Sequence, residues 1–330
     1  MGWKGTVRSI GAAVRAAERD AKRRQRELEK RQMQYEKMQE LEQATYEVEV
    51  YENHIEIIQS LHKECSDPIN WKNIAMSQEP KKSENLKKHE KAARSAAENY
   101  KPGFVDRFFK REEKKKKGLE ENIPRAIEKD KTEHKDNVSS WEEKLNDWKE
   151  SVEIAQLLLS GDKEAKIKAI KYLDPFSEIS NLGSSLSISV SDEGIVEATI
   201  HIHGDDIVPS EVKGLLKSGR LSVKKMPKGK FNEICQDYVC SSALRVANEL
   251  FSAIPDDIVV VTAVDKLLNT KTGHLETSPI LSVCISRSTL QTLNMDSIDP
   301  SDSMSNFIHN MSFKKNKGFE AVSGVNPGLL

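Results

Sequence analysis

Apolar residues return at steps of 4, 3, 4, 3 and 4 in the stretch SSWEEKLNDWKESVEIAQLLL: Trp141, Leu145, Trp148, Val152, Ala155 and Leu159. That spacing lays the side chains in one narrow stripe along an α-helix, the seam of a coiled coil. Two of the chain's four tryptophans sit on this stripe. They need a partner surface, and large indoles pack best against small residues.

The N-terminal part supplies a candidate. Val7, Ile10, Val14, Ala17, Ala21, Arg24 and Leu28 repeat the spacing, the frame shifts around Tyr35 and Met38, and Leu41, Ala44, Val48, Tyr51, Ile55, Ile58, His62 and Cys65 carry it on. The shift reads as a stammer. No proline occurs before Pro68, so a first helix is expected over residues 6–65, on the order of 90 Å long. A helix with only a seam apolar needs a partner along its length.

Charge selects the pairing. Residues 4–31 hold ten Lys/Arg against four Asp/Glu, whereas residues 40–64 hold seven acids against Lys63 alone. The second helix starts basic, with Lys110, Arg111 and Lys114 to Lys117, and ends acidic, with Glu142, Glu143, Asp147, Glu150 and Glu153. Antiparallel pairing matches opposite signs at both ends and sets Trp148 near Leu28; the alternative is a parallel homodimer of the first helix. Pro124 predicts a break in the second helix between residues 118 and 124.

Between the arms, Phe104, Phe108 and Phe109 recur at helical spacing beside Lys114, Lys115, Lys116 and Lys117. These are the candidate partner-binding residues, able to meet an acidic partner or a phosphate backbone; the plainer reading is a capped hairpin end with a solvated lysine face.

After residue 175 alternation replaces heptads. Leu186, Ile188 and Val190, then Val196, Ala198, Ile200 and Ile202, read as a hairpin with one buried face, and a third strand is expected around Leu221 and Val223. A helix over 230–252, two apolar strands in DIVVVTAVD and PILSVCIS, and short helices near 288–294 and 300–310 complete the unit. The final GFEAVSGVNPGLL reads as a strand, an extended tail or a docking peptide. The expected fold class is therefore α+β: a long antiparallel helical hairpin followed by a C-terminal α+β domain with a mostly antiparallel sheet. Its segments are a first helix (1–65), a helical tip (66–109), a return helix (110–174) and the C-terminal domain (175–330).

Catalytic signatures are absent from the sequence. His201 and His203 share a strand face but lack further ligands at recognisable spacing. Glu249, Asp257 and Asp265 could supply acids to a metal nuclease, yet the strand ILSVCISR offers Ser282 and Cys284 where an acid and a lysine belong. Cys240 on a helix reads as core. No glycine-rich phosphate loop or nucleophile elbow occurs. No catalytic residue, metal or cofactor is expected. Balanced charge, 51 basic against 52 acidic residues, argues against a whole-chain polyanion binder but leaves local patches open. Four cysteines without paired spacing and the lack of an apolar run of membrane length point to a cytoplasmic protein. The expected function is a non-catalytic scaffold, adaptor or oligomerising subunit that recognises a protein partner through its C-terminal domain. A nucleic-acid binder or cryptic nuclease is the alternative; homo-oligomers remain open, and docking on a membrane surface is not expected.

Overall fold

The computed structural model describes residues 40–82, 84, 87–101, 112–176, 185–202 and 204–326. Seam positions Val14 and Leu28, and Phe104, Phe108 and Phe109, lie outside the described residues, as does His203. The protein combines helices with a mostly antiparallel sheet, and the chain divides into two units. One is Met76–Glu153; the other joins residues 40–75 to residues 154–326.

The first unit is built on helix. Extended chain at 77–82 lies along α4 (Glu112–Leu159), whose first 42 residues belong to this unit. Here the two indoles find their contacts: Trp148 Nε1 donates to Ser77 Oγ at 2.9 Å, Trp141 Nε1 donates to Pro80 O at 2.8 Å, and the Lys82 ammonium lies 5.0 Å from the Trp141 ring centroid. Short helix α3 (Lys88–Glu98) is capped by α4, because Asp130 accepts the backbone N–H groups of His89 and Glu90 at 3.0 and 2.7 Å. The expected break near Pro124 is not there: α4 runs through the proline unbroken. Pro124 and Glu120 are both exposed, so the carbonyl that loses its N–H partner faces water.

The second unit centres on α7 (Lys228–Ala253), which lies against a sheet of order β1-β2-β5-β6-β7-β8. Its strands are β1 (Ser185–Val190), β2 (Val196–His201), β5 (Ile258–Leu268), β6 (Leu275–Ser286), β7 (Ile308–Lys314) and β8 (Gly318–Glu320). All neighbours are antiparallel except β2 with β5, which the expected hairpins had not included. The turn between β1 and β2 needs Gly194, whose φ is +85°. Period-2 alternation sets the core. Val196, Ala198, Ile200, Val259, Val261, Ala263, Leu281, Val283 and Ile285 are fully buried on one face, and Met311 on that face reaches the Cys240 thiol of α7 at 3.9 Å.

The strand expected around Leu221 does not join this sheet. It is β4 (Leu221–Lys225), paired with β3 (Glu211–Leu215) as a separate antiparallel ribbon. Residues 308–310 are strand rather than helix, following the short helices α8 (Arg287–Thr292) and α9 (Pro300–Ser303). The tail is pinned: Val322 N donates to Pro279 O at 2.9 Å and Val325 N to Ser282 Oγ at 3.0 Å. Helix α5 (Lys163–Leu173), capped by Asp162, brings Lys166 into a buried ion pair with Asp256 at 2.8 Å.

Helix α1 (Glu40–Gln59) belongs to this unit and carries the second half of the predicted seam. Ala44, Val48, Tyr51 and Ile58 are buried, and α1 packs on α7 and on the β3–β4 ribbon. The heptad spacing is thus used against a helix and a ribbon within one core.

Candidate functional site

The segment after α1 runs along α7 on a ladder of polar residues spaced by four. Gln59 Nε2 donates to Asp237 Oδ2 at 2.7 Å, the His62 backbone N–H donates to Ser241 Oγ at 3.0 Å, and the Ser66 N–H donates to Glu249 Oε1 at 3.1 Å. Ile69 N and Trp71 Nε1 finish the strap on the Ser252 and Ala253 carbonyls at 2.9 and 3.0 Å. The buried Arg245 guanidinium lies 3.0 Å from Glu249, which is wholly buried. Glu249 is therefore a partnered structural carboxylate rather than a metal ligand. Burial pushes the His62 imidazole pKa down, and Lys63 adds to that. His62 and Ser241 are 1% and 0% exposed, which closes both to a substrate.

Where the strap begins, a groove of about 460 Å³ opens between α1, the ribbon and the start of α7. Tyr51, Ile55, His62, Lys63, Lys213 and Lys230 are among its lining residues. Tyr51 is 9% exposed, and its hydroxyl has no hydrogen-bond partner among the described residues. Burial raises the phenol pKa and the neighbouring Glu52 charge raises it further, so the hydroxyl keeps its proton and remains a donor.

The ribbon beside this groove is strongly basic. Residues 211–230, EVKGLLKSGRLSVKKMPKGK, contain seven Lys/Arg and one acid. Lys213 pairs with Glu47 at 3.0 Å. Lys217, Arg220, Lys224, Lys225, Lys228 and Lys230 are exposed and lack an ion-pair partner among the described residues. Gly219, at φ +79°, turns the tip between Lys217 and Arg220. Leu215, Leu216 and Val223 are also exposed, each by nearly half.

At the ribbon's base, α7 starts at Pro227 with no side-chain cap and no acid in its first turn. Lysines 228 and 230 stand where the helix dipole disfavours cations. The β7–β8 turn adds to the same surface: Asn232 Nδ2 donates to Lys315 O at 2.7 Å, and the Lys315 side chain lies over Gly229. Two lysine clusters far apart in sequence, 224–230 and 314–317, thereby meet around the start of α7.

The residues singled out from sequence fall elsewhere. Lys114, Lys115, Lys116 and Lys117 are exposed on the first turns of α4, in the other unit. Seam residue Val48 is buried; Ile55, Trp141, Leu145, Trp148 and Val152 are half-buried; Leu159 is 39% exposed. The backbone at Leu41 is helical. His201 is half-buried on β2, Cys240 is buried with its thiol pKa pushed up by burial, and Asp257 is exposed. His89, Asp130 and Glu133 offer ligand atoms within 4.8 Å of one another. Both Asp130 oxygens already cap α3, and His89 Nε2 lies 2.9 Å from Glu133, so hydrogen bonding accounts for this cluster. The signal in the sequence that could have found the basic ribbon is the excess of seven Lys/Arg over one acid in residues 211–230, from which only a strand around Leu221 and Val223 was expected. No protein-family model matches the chain, and neither a curated protein nor a solved structure is similar to it.

Proposed function

We propose that the protein acts by binding, as a scaffold or adaptor in a larger cytoplasmic assembly, and that its C-terminal unit recognises a polyanionic surface. The observation that supports this is the ribbon and helix start, whose six exposed cations lack ion-pair partners among the described residues. Unpaired like charges crowded on one element repel one another, a cost that binding an anion removes. A long antiparallel hairpin belongs to this reading as the arm that gives reach. Its support is the complementarity between ten cations in residues 4–31 and the acids Glu142, Glu143, Asp147, Glu150 and Glu153.

The test is chromatography of the full chain on immobilised heparin. The triple charge reversal Lys224→Glu, Lys225→Glu and Lys228→Glu is expected to elute at much lower salt than the wild type. Reversal of Lys114 to Lys117 is expected to matter less. Elution of the ribbon variant with the wild type would overturn the proposal.

A further inference from the structure

We infer that the polyanion is double-helical DNA, with the β3–β4 ribbon in its major groove and the start of α7 on the flanking phosphates; this rests on the reading above. Shape comes first. Each strand of the ribbon has five residues, so it is about 17 Å long. A B-form major groove, roughly 12 Å wide, admits a two-stranded ribbon.

The exposed chemistry fits that placement. Arg220 and Lys217 at the tip supply donors of the kind that read guanine edges, and Leu215, Leu216 and Val223 supply apolar surface of the kind that meets thymine methyl groups. Behind the tip, Lys224, Lys225, Lys228 and Lys230 form a track of phosphate contacts. The uncapped N-terminus of α7 adds backbone N–H groups directed along the helix axis.

Other polyanions fit less well. An anionic membrane would meet Leu215 and Leu216 with Lys217 and Arg220 at the tip, whereas four of the six cations lie back from it, at the end of β4 and the start of α7. The A-form major groove of RNA is too deep and narrow for the ribbon.

The experiment titrates the full chain against a labelled DNA duplex, the RNA duplex of the same sequence, polyglutamate and phosphatidylserine vesicles. DNA is expected to bind most tightly, its log affinity falling against log salt with a slope of about −3.6 for the four lysine–phosphate contacts. The double variant Lys228→Gln, Lys230→Gln is expected to reduce that slope by about 2. Thermal melts matching the wild type establish that each variant is folded. Equal binding of RNA or polyglutamate, retention on vesicles but not on DNA, or a wild-type salt slope in the double variant would overturn the inference while the polyanion reading stands. Failure to bind heparin and every other polyanion would remove both.

Discussion

At the end of α7 the last carbonyls converge on one guanidinium. Arg287 donates to the carbonyls of Phe251, Ile254 and Asp256 at 2.9, 2.7 and 2.8 Å, and it stacks over the Phe251 ring. A cation at a helix C-terminus also meets the favourable end of the dipole. Arg287→Ala is expected to lower the unfolding free energy by about 2–4 kcal/mol, read from denaturant titration. Arg287→Lys recovers only part of the loss, since one ammonium cannot reproduce a rigid fork. An Arg287→Ala titration overlying the wild type would show that water satisfies these carbonyls equally well. None of this was legible locally. Arg287 directly follows the apolar strand β6, and the carbonyl of Phe251 lies 36 residues earlier.

Helix α3 depends on a neighbouring element for its start. Lys87, at φ +44°, precedes it and offers no capping acceptor, so Asp130 of α4 does that work. Burial on its own raises the Asp130 pKa, but the N–H bonds from Glu90 and His89 outweigh it and hold the carboxyl below its ordinary value. The folded pKa is depressed, so the cap's contribution is full above the unfolded value of about 3.9 and is lost as pH falls through the folded one. Asp130→Asn is expected to speed amide exchange at His89 and Glu90 at neutral pH, where the wild type stays protected. Equal exchange rates would show that α3 holds without the cap. Among the described residues periodicity marked Leu41 to Ile58 as helical, but α1 ends at Gln59, so His62 and Cys65 fall outside the expected first helix, and the spacing was a poor guide to what its residues meet. Ala44, Val48, Tyr51 and Ile58 kept their common face, but the spacing says only that an apolar stripe exists. Their partners, α7 and the ribbon, are more than 150 residues away in sequence. The basic face was half legible in the same way. Four lysines fall within residues 224–230, whereas their union with Lys315 depends on the first turns of α7.

For the molecule as a whole, the open architectural question is whether residues 1–39 pair within the chain or between chains. An intramolecular hairpin predicts a melting temperature independent of protein concentration, whereas a parallel homodimer predicts one that rises with it. Melting curves over a wide dilution series, with sedimentation at the same concentrations, decide between them. We expect no concentration dependence. The strap on α7 has a further consequence, in time rather than in space. Gln59 and Trp71 bind residues 178 and 182 positions later in the chain. At translation speeds of about 5–20 residues per second, the strap leaves the ribosome roughly 10–40 s before its binding surface exists. Throughout that interval Ile69, Trp71 and Ile74 have nothing to pack against on α7, so the nascent chain carries an apolar segment that folding helpers can recognise, and the C-terminal unit closes only when its second half has been made.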